Sequence, residues 1–136
     1  MTDAFDADVV IYAADSSNPL GASVARRLAH LERHAERGIG SKLLIPEVLG
    51  KPIRENALRE IDALSELLVR LDLRDVDSRT AVLAAEFVAN YRLKTVDATH
   101  LATAVVSGCD RFITNNSKDF AGKKIDEIEI VFPYEL

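Results

Sequence analysis

The sequence predicts an α/β fold in which a parallel sheet is covered by helices on both faces. Two observations carry that reading. Short apolar runs of strand length alternate with longer stretches whose apolar residues recur at helical spacing. At 136 residues, 48% hydrophobic and 29% charged, the chain also has the length and balance of one globular domain, so residues 1–136 read as a single unit. No repeat, low-complexity tract or linker divides it.

Taken in order, a first strand ends near Asp6 and a short apolar helix follows to Ala14. Asp15-Ser16-Ser17-Asn18-Pro19 is a turn cluster rich in helix-capping residues. A helix is expected over Leu20–Arg37, with Val24, Leu28 and Leu31 on one face. Gly38 and Gly40 read as its terminators. Lys42-Leu43-Leu44-Ile45 reads as a short buried strand. Pro46 and Glu47 then open a helix, and Pro52 interrupts the region. A second long helix is expected over Glu55–Val69, with Leu58, Ile61, Leu64 and Leu68 at helical spacing. Leu71–Val76 is either a strand or a connector. Asp77-Ser78 caps a helix to Tyr91, with Val82, Ala85 and Ala89 read as inward. Another helix covers Asp97–Ser107 and stops at Gly108. Arg111–Thr114 is a strand, Asp119-Phe120 starts a short turn or helix, and Glu129–Phe132 is a final strand whose charge suggests an edge.

Composition narrows the function. The net charge of −5, from 22 acids and 17 bases, speaks against a broad non-specific footprint on duplex DNA. It leaves a small metal-using nuclease open, because about two divalent ions would offset roughly four of those charges. No apolar run approaches the roughly 20 residues needed to span a bilayer, so no membrane association is expected. The acidic N-terminus lacks the basic region of a signal peptide. Cys109 is the only cysteine, which fits a reducing cytoplasm. It reads as a small buried residue rather than a catalytic thiol.

Four acids stand at equivalent places. Asp6 and Glu47 each follow an apolar run, Asp97 opens a helix, and Asp119 lies just beyond a third run. In an open α/β sheet the carboxyl ends of the strands and the adjoining helix starts share one edge, where ligands bind. Carboxylates gathered there resist ionising together unless a cation joins them. Each acid also has an ordinary explanation. Glu47 suits a helix first turn, Asp97 could be an N-cap, Asp119 a turn residue and Asp8 a cap. Their shared position is what points to a hard divalent metal and to attack on a phosphate.

The segments around these acids resemble a known family. Phe5-Asp6-Ala7-Asp8-Val9-Val10-Ile11-Tyr12 looks like the opening motif of the PIN domain family. Leu44-Ile45-Pro46-Glu47-Val48-Leu49 is similar to its second motif. Asp97-Ala98-Thr99-His100-Leu101-Ala102-Thr103-Ala104 resembles the "D-A-x-H-L-A-x-A" helix of VapC-type toxins. Phe112 to Phe120 resembles the closing "T-x-[DN]-x-x-D-F" motif. The four occur in the family's order and span the chain.

The resemblance implies a three-layer α/β/α fold with a four- or five-stranded, mainly parallel sheet. It implies a Mg²⁺- or Mn²⁺-dependent ribonuclease with Asp6, Glu47 and Asp97 as core metal acids, Asp119 as a fourth, and Thr114 and Asn116 lining the site. Asn116 departs from members that carry Asp there; an amide oxygen still binds a metal or water but adds no charge. The resemblance further implies a small antitoxin partner and homodimerisation, with the Asp15–Gly21 loop and the first two long helices as partner surfaces. Lys42, Lys51, Arg54, Arg92, Lys94 and Lys118 are candidate phosphate contacts. His100 reads as a helix histidine packed at the core edge or bonded to a backbone group. Two other readings stay open: a non-cutting PIN-like module that binds RNA or protein, and a small metal-dependent phosphatase. The Asp-x-Asp of haloacid-dehalogenase-type phosphatases also follows a first strand, but the rest of that family's series is missing here.

Overall fold

The computed structural model describes residues 1–136. Its elements run β1 (Asp3–Phe5), α1 (Ala7–Ala14), α2 (Pro19–Arg33), β2 (Ile39–Ser41), α3 (Leu44–Arg54), α4 (Leu58–Arg70), β3 (Asp72–Arg74), α5 (Ser78–Tyr91), α6 (Thr95–Val106), β4 (Arg111–Ile113), α7 (Ser117–Phe120), β5 (Glu129–Val131) and a 3₁₀ turn, Pro133–Glu135. The five strands form one sheet in the order β3-β2-β1-β4-β5, and every pairing is parallel. The chain starts at the centre, builds outward through β2 and β3, then returns to add β4 and β5 on the other side. The strand order therefore reverses between β1 and β4, which makes the crevice beyond their carboxyl ends the expected ligand site of such a sheet.

Strand alternation sorts the core into two layers. Phe5 and Ile113 pack with Val9, Val24, Leu31, Leu44 and Leu64 on one face. Ala4 and Phe112 pack with Ala84, Phe87, Leu101 and Phe120 on the other. The three-layer α/β/α expectation is met, with five strands, all parallel. Helix α6 is nearly all-round apolar because it lies under α5 and over the sheet. Residues Ala98 to Ala104 are all buried.

Several expectations are corrected. Helix α2 ends at Arg33 rather than Arg37, with Ala35 in the left-handed region at φ 56. Gly38 and Gly40 are not helix terminators but flank and occupy β2. A Cβ on Gly38 would lie 2.5 Å from the Phe5 ring, and one on Gly40 2.5 Å from Leu44, so close packing requires glycine there. The strand consequently precedes the expected Lys42–Ile45 run. Leu44 instead opens α3, burying itself, Val48 and Pro52 along one helical face, and Pro52 sits inside the helix without ending it. On α5 the inward face is Thr80, Ala84 and Phe87. Val82 is 63% exposed, and Ala85 and Ala89 also face out. Small apolar residues occur all round that helix, so spacing alone chose the wrong stripe.

Candidate metal and nucleic-acid site

The acids meet at the β1/β4 switch point. Phe5 pairs with Ile113 in register, so the next residue on each strand, Asp6 and Thr114, emerge side by side. Asp6 caps α1, its Oδ1 accepting from the Ala7 N–H at 2.8 Å. The Thr114 hydroxyl donates to its Oδ2 at 2.8 Å. Both residues are buried, at 4% and 0% exposure. The cap of α1 is therefore Asp6, not Asp8. Asp8 stands in the first turn, where its Oδ2 accepts from the Asn115 N–H at 3.0 Å. Its other oxygen is buried with no partner.

Glu47 and Asp97 arrive from helix first turns on either side of the sheet. Lys94, not Asp97, is the cap residue of α6. Glu47 approaches His100, whose Nε2 lies 2.5 Å from Glu47 Oε1. His100 is 2% exposed, so its partner is an acid of the cluster and not a backbone group. Its Nδ1 is buried and unpartnered. Asn116 caps α7, accepting from the Asp119 N–H at 3.2 Å. Its amide donates to Asp119 Oδ2 at 2.9 Å and, at 3.4 Å, leans toward Asp97 Oδ2. The Asn116 N–H donates to the Thr114 hydroxyl at 3.1 Å. Thr114 and Asn116 thus tie Asp6, Asp97 and Asp119 into one network, and His100 holds Glu47 separately. The role of His100 was the part of the site that sequence reasoning missed. Its spacing of one turn from Asp97 was visible, but Glu47, 53 residues away, was not a visible partner.

Crowding changes the acids. Burial first, and then repulsion from Glu47, raises the Asp6 carboxyl above its ordinary range, against His100 and the Thr114 and Ala7 hydrogen bonds. Burial and Asp6 push Asp8 up to about 7. Burial, Asp6, Asp119 and Glu47 push Asp97 up to about 6. Asp119 moves the other way, held down by the Asn116 hydrogen bond and then by Lys94, Lys123 and Lys118. Burial disfavours charge on His100, but the Glu47 bond and the Asp6 and Asp97 charges outweigh it and raise its pKa. Carboxylates that are costly to ionise side by side, offering only oxygen donors, fit a hard divalent cation. No three Asp, Glu, His or Cys side chains converge into a closed ligand cluster. That geometry suits an ion that takes one or two carboxylates directly and keeps waters, as Mg²⁺ does. Asp6 is buried, Asp97 and Asp119 are half-buried and Glu47 is exposed, so the outer acids face solvent.

Of the candidate phosphate contacts, Lys94 and Lys118 flank Asp119, joined by Lys123. Lys42 is instead engaged with Asp75 at 2.5 Å. Lys51 and Arg54 lie in the last turn of α3, beyond Glu47, and Arg92 ends α5 in the left-handed region. No helix is long and apolar enough to cross a membrane.

An all-parallel α/β/α sheet with acids at its switch point defines an architecture shared with known proteins. The PIN domain family model matches residues 4–124, and the chain belongs to the PIN domain family. No curated protein sequence matches it. Among solved structures it is similar to a chain of a toxin–antitoxin complex from Klebsiella pneumoniae, at 24% identity over 99% of this chain and 100% of that one, with a TM-score of 0.75. It is also similar to a chain of VapBC2 from Rickettsia felis bound to a promoter DNA fragment, at 16% identity over 97% and 98%, with a TM-score of 0.78. A third is DNA-bound VapBC from Salmonella typhimurium, at 17% identity over 98% of each chain, with a TM-score of 0.77.

Proposed function

We propose that this chain is a Mg²⁺- or Mn²⁺-dependent endoribonuclease, the toxin of a toxin–antitoxin pair, built as one PIN domain and resident in the cytoplasm. The observation that carries the proposal is the gathering of Asp6, Glu47, Asp97 and Asp119 from four separate segments onto one sheet edge, where they raise the cost of one another's charge. One or two of these would ligate the ion directly, and the others would bind its retained waters. A divalent ion bound there supplies Lewis-acid charge at a phosphate and acidifies a water. The chain's own residues fix the acids: Thr114 holds Asp6, His100 holds Glu47, and Asn116 holds Asp119 near Asp97. Lys94, Lys118 and Lys123 place positive charge beside Asp119, where an RNA backbone is attracted. The open setting of the acids suits a polymer better than a small phosphoester, which argues against a phosphatase.

An antitoxin finds a surface in the cleft of about 470 Å³ between α1 and α4, floored by Ile11, Ala14, Ala63 and Leu64 and edged by Asp15 and Arg59. A second copy finds one on the outward apolar stripe of α5, where Val76, Ala81, Ala85 and Val88 line a shallow cleft. Asn116, in place of an acid, favours a second reading, a PIN module that binds RNA without cutting it. Cleavage of RNA by the purified protein with and without Mn²⁺, beside Asp97→Asn, separates the two. Metal-dependent cutting that disappears in the variant supports the nuclease. Equal cutting by a folded variant removes Asp97 from the site, and absence of cutting with any divalent ion favours the binding module.

A further inference from the structure

The amino end of the sheet, away from the acids, carries a cluster of the opposite sign. Asp3 is wholly buried and accepts from Arg27 Nε at 2.5 Å and from Arg111 Nε and Nη2 at 2.8 Å each. The two guanidiniums stay 19% and 16% exposed. They line a cleft of about 370 Å³ between α2 and the C-terminal 3₁₀ turn. Arg26, His30 and Arg33, spaced i, i+4 and i+7 along α2, form its wall. None of these three side chains has a carboxylate partner. Glu135, on the rim, turns its Oε1 to the Phe132 N–H at 3.0 Å. Leu136 also borders the cleft. The cluster stands out in a chain of net charge −5. Its field is felt locally: desolvation first, then His34, Arg27 and Arg33, lowers the His30 pKa. The 3₁₀ turn beside the cleft presents Tyr134, 75% exposed and stacked on Phe132 at 5.9 Å and 2°. Ser23 anchors that turn to α2 through the Pro133 carbonyl at 3.0 Å.

We propose that this cleft is a second RNA-binding site, which takes a backbone phosphate on Arg26, His30 and Arg33 and an unpaired base against Tyr134. Guanidinium forks match phosphate geometry, and an exposed aromatic next to a basic groove is the arrangement that holds single-stranded nucleic acid. Strands of three residues span about 10 Å, so the cleft and the acids lie at opposite ends of a short sheet. A folded RNA reaches both; a very short oligonucleotide in the acid site does not. The choice of RNA as the polymer rests on the endoribonuclease reading.

The test uses the full chain carrying Asp97→Asn, so that RNA is bound and not consumed, and a labelled hairpin with a single-stranded flank, titrated at several salt concentrations. Adding Arg26→Ala and Arg33→Ala is expected to weaken binding about tenfold and to lower the slope of log K against log salt by about 0.7, the value for one phosphate contact on a single strand. Adding Tyr134→Ala instead weakens binding with the slope unchanged. Removing Arg59 and Arg79, exposed charges on other helices, leaves both quantities as they were. With Asp97 restored, the Arg26/Arg33 pair of substitutions leaves cleavage of a tetranucleotide unchanged. The proposal is overturned if the Arg26/Arg33 substitutions leave affinity and slope intact, if removing Arg59 and Arg79 costs as much, or if no RNA binds. A protein that cuts nothing yet shows the expected slope change keeps the cleft and loses the nuclease reading. Normal cleavage with an unchanged slope does the reverse.

Discussion

Asp3 opens the first strand and Asp6 lies just past its end; both are buried, and their surroundings could hardly differ more. Asp3 is surrounded by two arginines that satisfy its charge with three hydrogen bonds. Asp6 has one hydroxyl and one main-chain N–H, and its nearest ionisable neighbours include further acids. The first arrangement is complete as it stands. The second is a crowd of acids in which His100 opposes the burial and repulsion at Asp6, the setting in which we propose a cation. What surrounds a buried carboxylate thus separates the two cases, since burial itself is the same in both.

The sharpest way to break the contrast is Asp3→Ala. It strands two partly buried guanidiniums, and unfolding by urea should show a loss of about 3–5 kcal/mol. Removing an acid at the other end is expected to act on activity instead. Asp97→Asn should lower metal-dependent RNA cleavage at least about a hundredfold, or about 2.7 kcal/mol, while the melting temperature holds or rises because one repulsive charge is gone. A drop of ten degrees in the variant would place Asp97 with Asp3, as a structural residue. Metal should divide the two ends in the same sense. Mn²⁺ at about 100 times its Kd should stabilise the native chain by about 2.7 kcal/mol, and that gain should shrink in Asp97→Asn but persist in Arg26→Ala.

The pH dependence follows from the raised acids. Asp8 titrates at about 7 in the fold, against an ordinary 3.8, so between those values the native state holds more protons than the unfolded chain. The contribution of Asp8 to the stability of the chelated, metal-free protein is therefore greatest below about pH 4 and falls as pH rises toward 7, by at most about 1.4 kcal/mol per pH unit. Asp8→Asn should flatten that decline without abolishing it, because Asp6 and Asp97 shift in the same direction. Denaturant melts at several pH values measure the slope. The smallest expected effect is Lys42→Ala. Its pair with Asp75 is exposed at both ends, and its loss should cost under about 0.5 kcal/mol.

The alternation of elements and the four acid positions could be read directly from the sequence, because each depends on a local pattern: an apolar run, an acid after it, a cap. The errors arose where the deciding contact was remote. Gly38 and Gly40 read locally as a helix ending; the Phe5 ring that excludes a Cβ at Gly38 comes from elsewhere in the fold. The inward stripe of α5 could not be chosen among alanines and valines without knowing that α6 lies against it. His100 showed its helical spacing but not its carboxylate partner. The Asp3–Arg27–Arg111 cluster left no local sign at all, since its members are 24 and 108 residues apart.

The hydrogen bond between Thr114 and Asp6 also spans 108 residues, from the first strand laid down to the loop after the fourth. During synthesis Asp6 leaves the ribosome early, and for most of the chain's length it has neither Thr114 beside it nor Asp97 or Asp119 across from it. Because domains acquire such distant pairings only once the later strand is available, the acid cluster is assembled late. A ribosome-bound fragment ending before β4 carries three of the four acids but neither Thr114 nor Asp119, so whatever chemistry the finished edge performs is withheld from the machinery that is still making it.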